Sequence, residues 1–409
     1  MKRIHILISL IIIIISLGIL VGCQPIPEKS EVTTTKNTSA TKEPDTTKTQ
    51  SNEIDIDSLL REMTLKEKVG QLFIIRPESL DSSLTPEQVH DASSNGATSL
   101  STSMKNVLRD YPVGGIVVFG KNILNPTQLR NFIETLQDTS EIPLFMSIDE
   151  EGGTVARLAN HSAFNLTKYE SAAAVGESKN TSDAIAMGTT IGTYLQDYGF
   201  NMDFAPIADV NTNPDNPIIG NRAFSSDASV AAEMAKAMAT GLKQKEIIPV
   251  FKHFPGHGDT AEDSHSGIAI SNKTQSEMEN CEWLPYKSLT TKDCVMVGHI
   301  ATPKITGNLT PATMSGKIIN DILRQQLGFE GVIISDSLAM GAVTDEYDSK
   351  EAAVKVFEAG CDILLMPENF TEAFDAIIEA VEDGTISEQR LDKSVRRILT
   401  LKQEYGLLN

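Results

Sequence analysis

The sequence predicts an α/β chain whose folded part closes as a (β/α)8 barrel of TIM type, in a single domain. Three observations point there. Short apolar runs alternate with segments of helical periodicity, which argues a parallel sheet with helical crossovers. Seven such runs are clear and Gln71 to Ile75 supplies an eighth, the number at which a barrel is favoured over an open sheet. Polar and ionisable residues gather where the runs end, which in a barrel of this kind is the face that carries the site.

The elements follow in order. Leu59, Leu60 and Met63 have helical spacing, and Thr64-Leu65-Lys66-Glu67 is a capping box that opens the next helix. Residues 80 to 108 are rich in Ser and Thr, show no clear periodicity and read as an insertion. Gly115 to Phe119 is a strand, and Asn125-Pro126 starts a helix to about Gln137, with proline at its tolerated first position. Strands are expected at Pro143 to Ile148, Met202 to Ala208, Ile247 to Phe251, Cys294 to Val297, Val332 to Ile334 and Ile363 to Met366. Helices are expected near 183–198, 229–243, 318–327 and 351–359, and from a second capping box at Thr274 to about Leu289. Two helices close the chain, 371–381 and 387–405, the latter ended by Gly406. The folded domain is assigned to residues 54–409, with no second folded domain expected.

The amino-terminal segment is of another kind. Lys2 and Arg3 precede an apolar run from Ile6 to Gly22, short for a membrane span, and Leu20-Val21-Gly22-Cys23 resembles the bacterial lipobox. The expectation is a lipoprotein signal peptide over 1–22, cleavage before Cys23, and lipid on Cys23 that anchors an exported protein outside the cytoplasm. A plain uncleaved anchor is the alternative. Residues 23–53 are rich in Thr, Ser, Lys and Glu and cannot bury a core, so they read as a disordered tether. The formal net charge of -20 argues against a nucleic-acid partner and against a polybasic membrane patch. Cys281, Cys294 and Cys361 are widely spaced and odd in number, so they read as free buried thiols rather than a disulfide framework or a zinc site.

The densest chemistry lies in KHFPGHGDTAEDSH, Lys252 to His265, which holds three of the seven histidines in the chain. Pro255, Gly256 and Gly258 forbid a helix, so this is a polar loop leaving a strand. A zinc site from His253, His257, Asp263 and His265 is disfavoured, because ligands four apart share a face only on a helix. No metal and no cofactor is expected. Around this loop the other strand ends bring Asp149 with Arg157, Asp209, Arg222, His299 and Asp336. Each has a bland alternative. Asp149 could cap a turn, Arg222 could pair with Asp227, and His299 could be a satisfied core histidine.

KHFPGHGDTAEDSH, together with IDEEGGTVARL at Ile148 to Leu158, GNRAF at Gly220 to Phe224 and SDSLAMGAV at Ser335 to Val343, resembles family 3 glycoside hydrolases, in particular their β-N-acetylhexosaminidase branch. The similarity covers about Ile54 to Leu408. It implies a (β/α)8 barrel and hydrolysis with retention, which needs a nucleophile and a second group that gives and then takes a proton. By motif position Asp336 is the nucleophile, His265 the acid/base, and Asp263 the residue that orients the imidazole. Asp149, Arg157, Arg222, Lys252 and His253 fall at the family's substrate-contact positions. The resemblance implies a monomeric enzyme removing terminal β-linked N-acetylglucosamine, with muropeptide-type sugars as the natural source. A phosphorolytic variant and a β-glucosidase are the alternative activities, and a sugar-binding lipoprotein is the alternative without catalysis.

Overall fold

The computed structural model describes residues 54–261 and 267–408. The signal segment, Cys23, the tether, Asp263 and His265 therefore lie outside the described residues.

Eight parallel strands run in chain order around a closed barrel: β1 (Phe73–Ile75), β2 (Gly115–Val118), β3 (Phe145–Ile148), β4 (Met202–Asp203), β5 (Ile248–Phe254), β6 (Cys294–Val297), β7 (Val332–Ser335) and β8 (Leu364–Leu365). Each pairs with its sequence neighbour. β8 pairs with β1 through Phe73 opposite Leu364, and the bridge between Ile334 and Ile363 joins β7 to β8 and completes the ring. The strands are mostly apolar because helices cover the outside and side chains fill the inside, with polar residues such as Asp203, Lys252 and His253 only toward their carboxyl ends. Every residue of β2, β3, β6 and β7 is buried.

Local signals account for most of the helices. Thr64 forms the expected capping box with Glu67 and opens Leu65–Gln71. Asn125 caps Pro126–Thr139 through the Gln128 amide. Asp227 caps Ala228–Lys243, which packs against Thr181–Asp197. That contact is close because Gly188 and Gly241 face the partner backbone, and a Cβ on Gly188 would sit 2.1 Å from the Met238 carbonyl oxygen. The last helix, Glu388–Glu404, ends before Gly406, whose φ of 69° only glycine adopts freely.

Three expectations need correction. The helix from Thr274 stops at Glu279, after which Trp283 folds back onto the Met278 carbonyl. Packing is the physical reason, since the turn that follows Glu279 buries Trp283 completely. The 80–108 segment carries two short helices, Pro86–His90 and Thr102–Asp110, the first with its own capping box. Its periodicity is invisible because the first helix buries a single residue, Val89. The expected strand from Met202 to Ala208 is regular only at Met202–Asp203. Beyond it single contacts continue the ladder, as in Ala208 N–H to the Lys252 carbonyl at 2.7 Å, and Pro206 has no N–H to give. Among the thiols, Cys294 and Cys361 are free and buried as expected, whereas Cys281 is free but only half-buried.

The amino-terminal floor of the barrel is polar in two places. Buried Asp362 accepts from Arg324, Arg397, Ser394 and the Ile333 amide. Lys402 is fully buried and donates to Gln71 Oε1 at 2.6 Å, with its ammonium 4.8 Å from the centre of the Phe145 ring.

Candidate active site

The carboxyl ends of the strands surround a cavity of about 400 Å³, a size in the range of small-molecule sites. Its charged lining comes from different strands, and most of these groups are held by one another.

Asp149 and Glu151 follow β3. Two residues apart in extended chain, they share one face. Lys252, on β5 and 3% exposed, bridges them, with Nζ 2.8 Å from Asp149 Oδ1 and 2.8 Å from Glu151 Oε1. Arg157 lies 3.2 Å from the other Asp149 oxygen. Arg222 clamps Glu151 from both sides, Nε to Oε2 at 2.8 Å and Nη2 to Oε1 at 2.7 Å, a bidentate geometry that fixes orientation as well as charge. Burial pushes the Asp149 and Glu151 carboxyls up, but Lys252 with Arg157 in one case and Arg222 in the other more than offset it, and both are held below the usual range. Burial pulls Lys252 down, yet the two carboxylates raise it. All three are ionised at neutral pH. Between the two acids Glu150 points the other way and accepts from the Leu158 and Ala159 amides and from Tyr194.

Asp209 organises the loop after β5. One carboxyl oxygen accepts from His253 Nδ1 at 2.8 Å and the other from the His257 amide at 2.7 Å. The Asp209 contact fixes the proton on His253 Nδ1. Asn216 reaches the His257 and Thr260 carbonyls at 2.8 and 3.0 Å, so the loop is tied down on both sides. Gly258 makes the close approach possible, because a Cβ there would lie 1.9 Å from the Val210 carbonyl oxygen.

Asp336 follows β7 and lines the same cavity, accepting from the Ser337 amide at 2.8 Å. Burial pushes its carboxyl up, but the His253 and His299 imidazoles, the Ser337 amide and Lys252 together hold it below the usual range. His299 is fully buried, with Nδ1 2.8 Å from Thr313 Oγ1 and Nε2 2.9 Å from the Ser337 carbonyl, so it acts as a support behind Asp336.

The structure thus brings Asp149, Arg157, Arg222, Lys252, His253 and Asp336 to one cavity. Arg222 turns to Glu151 and leaves Asp227 to its helix cap; Asp149 is bound by cations rather than capping a turn. Sequence reasoning missed Glu151, which the alternation of IDEEGG could have shown, since it places Glu151 on the face of Asp149. It also missed Arg76 and His90, which line the cavity after β1 and from the 80–108 segment. Arg76 could have been found by its place at a strand end. His90 carried no signal. Among the described residues no group of histidine, cysteine and acidic side chains is arranged to hold a metal ion.

The fold and sequence have relatives among known proteins. Residues 64–401 match the family described as “Glycosyl hydrolase family 3 N terminal domain”. The chain is similar to “Beta-hexosaminidase A” of Pseudoalteromonas piscicida, at 31% identity over 332 residues, which covers 75% of this chain and 56% of that protein. It is similar to “Beta-hexosaminidase LpqI” of Mycobacterium tuberculosis, at 33% identity over 310 residues, 72% of this chain and 77% of that one. A family 3 β-N-acetylglucosaminidase structure from Paenibacillus sp. str. FPU-7 superposes with a TM-score of 0.75 at 34% identity, covering 84% of this chain and 63% of that one. The chain spans little more than half the length of the first of these relatives.

Proposed function

The chain belongs to glycosyl hydrolase family 3 over residues 64–401, and from that premise we propose that it is a retaining exo-glycosidase that removes terminal β-linked N-acetylglucosamine. The observation that supports this most is the convergence of Asp336 with the Asp149–Lys252–Glu151–Arg222 network in one cavity. Fixed, ionised donors and acceptors of this kind suit the hydroxyls of a single terminal sugar. The similarity to proteins named β-hexosaminidase supports an N-acetylhexosaminide as the substrate.

In this reading Asp336 attacks the anomeric carbon while His265 gives its proton to the departing oxygen. A water that His265 deprotonates then attacks the glycosyl-enzyme, and Asp263 supports the imidazolium in both steps. Asp336 suits its part because it is ionised at neutral pH, as a nucleophile must be. His265 and Asp263 take their parts from the DSH triplet. The protein works outside the cytoplasm, anchored by lipid on Cys23, and its natural sugars come from peptidoglycan fragments.

The test is hydrolysis of 4-nitrophenyl N-acetyl-β-glucosaminide, followed by trapping with a slow fluorosugar and peptide mapping. Release of nitrophenol by the wild type, its loss in Asp336→Asn at unchanged fold, and a label on Asp336 are expected. A label on any other residue would refute the assignment.

A further inference from the structure

Two hydrogen-bonding nitrogens at the cavity, on Arg76 and His90, have no partner among the described residues. Arg76 follows β1, and its guanidinium stacks on the Phe119 ring, 3.9 Å from the ring centre. Its Nε is buried without a partner, and no hydrogen bond or ion pair among the described residues engages the group. Of the nearby carboxylates, Asp149 holds Lys252 and Arg157, while Glu78 accepts from the Ala97 amide and Asn122 through Oε1 and adds negative charge near Arg76 without a hydrogen bond to it.

His90 is the second. Its Nε2 lies 3.1 Å from the Glu368 carbonyl, which only accepts, so Nε2 carries the proton. Burial and the neighbouring Arg76 charge pull the imidazole down to about 4, so it is neutral at pH 7. Nδ1 is then a bare lone pair, and it too is buried without a partner. Met340 and Met366 line the same cavity with apolar surface.

A fork of donors, one acceptor and an apolar wall match the three parts of an acetamide: carbonyl oxygen, N–H and methyl. A carboxylate would suit Arg76 but would set an oxygen lone pair against His90 Nδ1. The position also fits. Asp336 ends β7, Met366 follows β8 and Arg76 follows β1, three consecutive strands around the ring. The hydroxyl-binding network occupies the sector of β3 to β5. The ring oxygen and the carbon that bears the 2-substituent both flank the anomeric carbon, so the β8–β1 sector is one of the two sides of the nucleophile open to that substituent.

We propose that Arg76 and His90 form the N-acyl subsite of this cavity and select 2-acetamido sugars over 2-hydroxy sugars. This rests on the glycosidase reading above and adds to it the residues that set specificity. The 80–108 segment delivers His90. Lys121 holds it in place through the Val89 and Asp91 carbonyls at 3.2 and 2.9 Å.

The experiment measures kcat/KM of the full chain on 4-nitrophenyl N-acetyl-β-glucosaminide and on 4-nitrophenyl β-glucoside, and takes the ratio. Where the glucoside is too slow, competitive inhibition by N-acetylglucosamine against glucose gives the same comparison. Arg76→Met removes the donors and keeps an apolar stem over Phe119; it should lower the ratio about 10- to 100-fold, the value of a charge-assisted hydrogen bond. His90→Phe keeps a ring and removes the acceptor; it should lower the ratio by roughly 3- to 10-fold. Arg76→Lys keeps one donor and should fall between Arg76→Met and wild type. Should Arg76→Met fail to fold, His90→Phe and Arg76→Lys decide. A ratio that stays within about twofold of wild type in these variants, including equal losses on both substrates, overturns the subsite alone. Hydrolysis of neither substrate by the wild type overturns the glycosidase reading and the subsite with it.

Discussion

Replacing Lys402 with methionine should remove a pH dependence of stability that one buried ammonium imposes. Lys402 lies under the barrel with its charge met by the Gln71 amide oxygen and the Phe145 ring, and by no carboxylate among the described residues. Burial pulls it from 10.5 down to about 7. In the unfolded chain the same group keeps its proton to about pH 10.4. Across that window the unfolded state binds more protons than the folded state, so stability rises with pH. Below about pH 7 both states are protonated and the full cost of the buried charge is present. Each pH unit well inside the window is worth roughly 1.4 kcal/mol and about half that near pH 7, so the wild type should gain about 2 kcal/mol between pH 7 and 9 through this residue. Lys402→Met lacks the gain. It leaves Gln71 Oε1 without its donor at a cost of about 1–3 kcal/mol, but that cost does not vary with pH. Urea unfolding of both proteins at pH 6, 7, 8 and 9 measures the effect, and the difference between them cancels every other titrating group. The difference should shift in favour of wild type by about 2 kcal/mol from pH 7 to 9 and by less than about 0.5 kcal/mol from 6 to 7. Parallel curves over the whole range would show that the ammonium is answered by water or by a charge in the folded state.

The other expectations concern the site and the tether. His265→Ala should slow glycosylation on poor leaving groups about 100- to 10,000-fold and much less on a dinitrophenyl glycoside, with azide restoring turnover as a glycosyl azide; equal losses without rescue would move the proton donor elsewhere. Glu151→Gln should lower kcat/KM at least about tenfold and destabilise the fold by about 3 kcal/mol, because it leaves Arg222 and half of Lys252 buried without a counter-charge; a fully active, equally stable variant in urea unfolding would refute the role given to this network. Deleting Met1 to Ser51 should give a soluble enzyme of unchanged kcat/KM, since the tether has too little apolar surface to dock on the barrel; a loss of activity at unchanged circular dichroism would assign the tether to the site.

How much of this was legible depended on whether a residue's role is written in local chemistry or in what the fold brings to it. Strands such as β2 and β6 read well because each is an uninterrupted apolar run, buried on both faces. Cys294–Val297 appears with the bounds expected of it. Helices read well wherever a cap opened them, as at Thr64 and Asn125. They read badly where the cap was right but the continuation was decided by packing, as at Thr274, whose helix yields to the turn that buries Trp283. The 80–108 segment was opaque for a related reason. Its order comes from Glu78, Lys121, Asn122 and Gln128, which lie outside it and accept or donate across to its backbone. At the site the motif residues were visible as chemistry. The partners that set their charge were not: Arg222 has a nearer acid in sequence, Asp227, than the Glu151 it clamps.

The way charge is paired in the cavity bears on the chemistry proposed for it. Loss of a glycosidic leaving group builds positive charge on the sugar ring, which a nearby unpaired cation would oppose. Arg157, Arg222 and Lys252 all line the cavity, and each is bound at 3.2 Å or less to Asp149 or Glu151. Asp336 is treated differently. Its recorded hydrogen-bond donor is the neutral Ser337 amide, and no lysine or arginine bridges it among the described residues. The negative charge that must face the anomeric carbon therefore has no direct lysine or arginine bridge, while the charges that meet hydroxyls are cancelled in pairs. Glu151 matters to this arrangement without needing to touch a sugar. It absorbs the charge of Arg222 and half that of Lys252, and so keeps two cations from competing for Asp336. Arg76 is the exception, a cation with no direct ion pair among the described residues, and it stands in the sector of β1, away from the network on β3 to β5, where a neutral carbonyl oxygen rather than the reacting carbon would meet it.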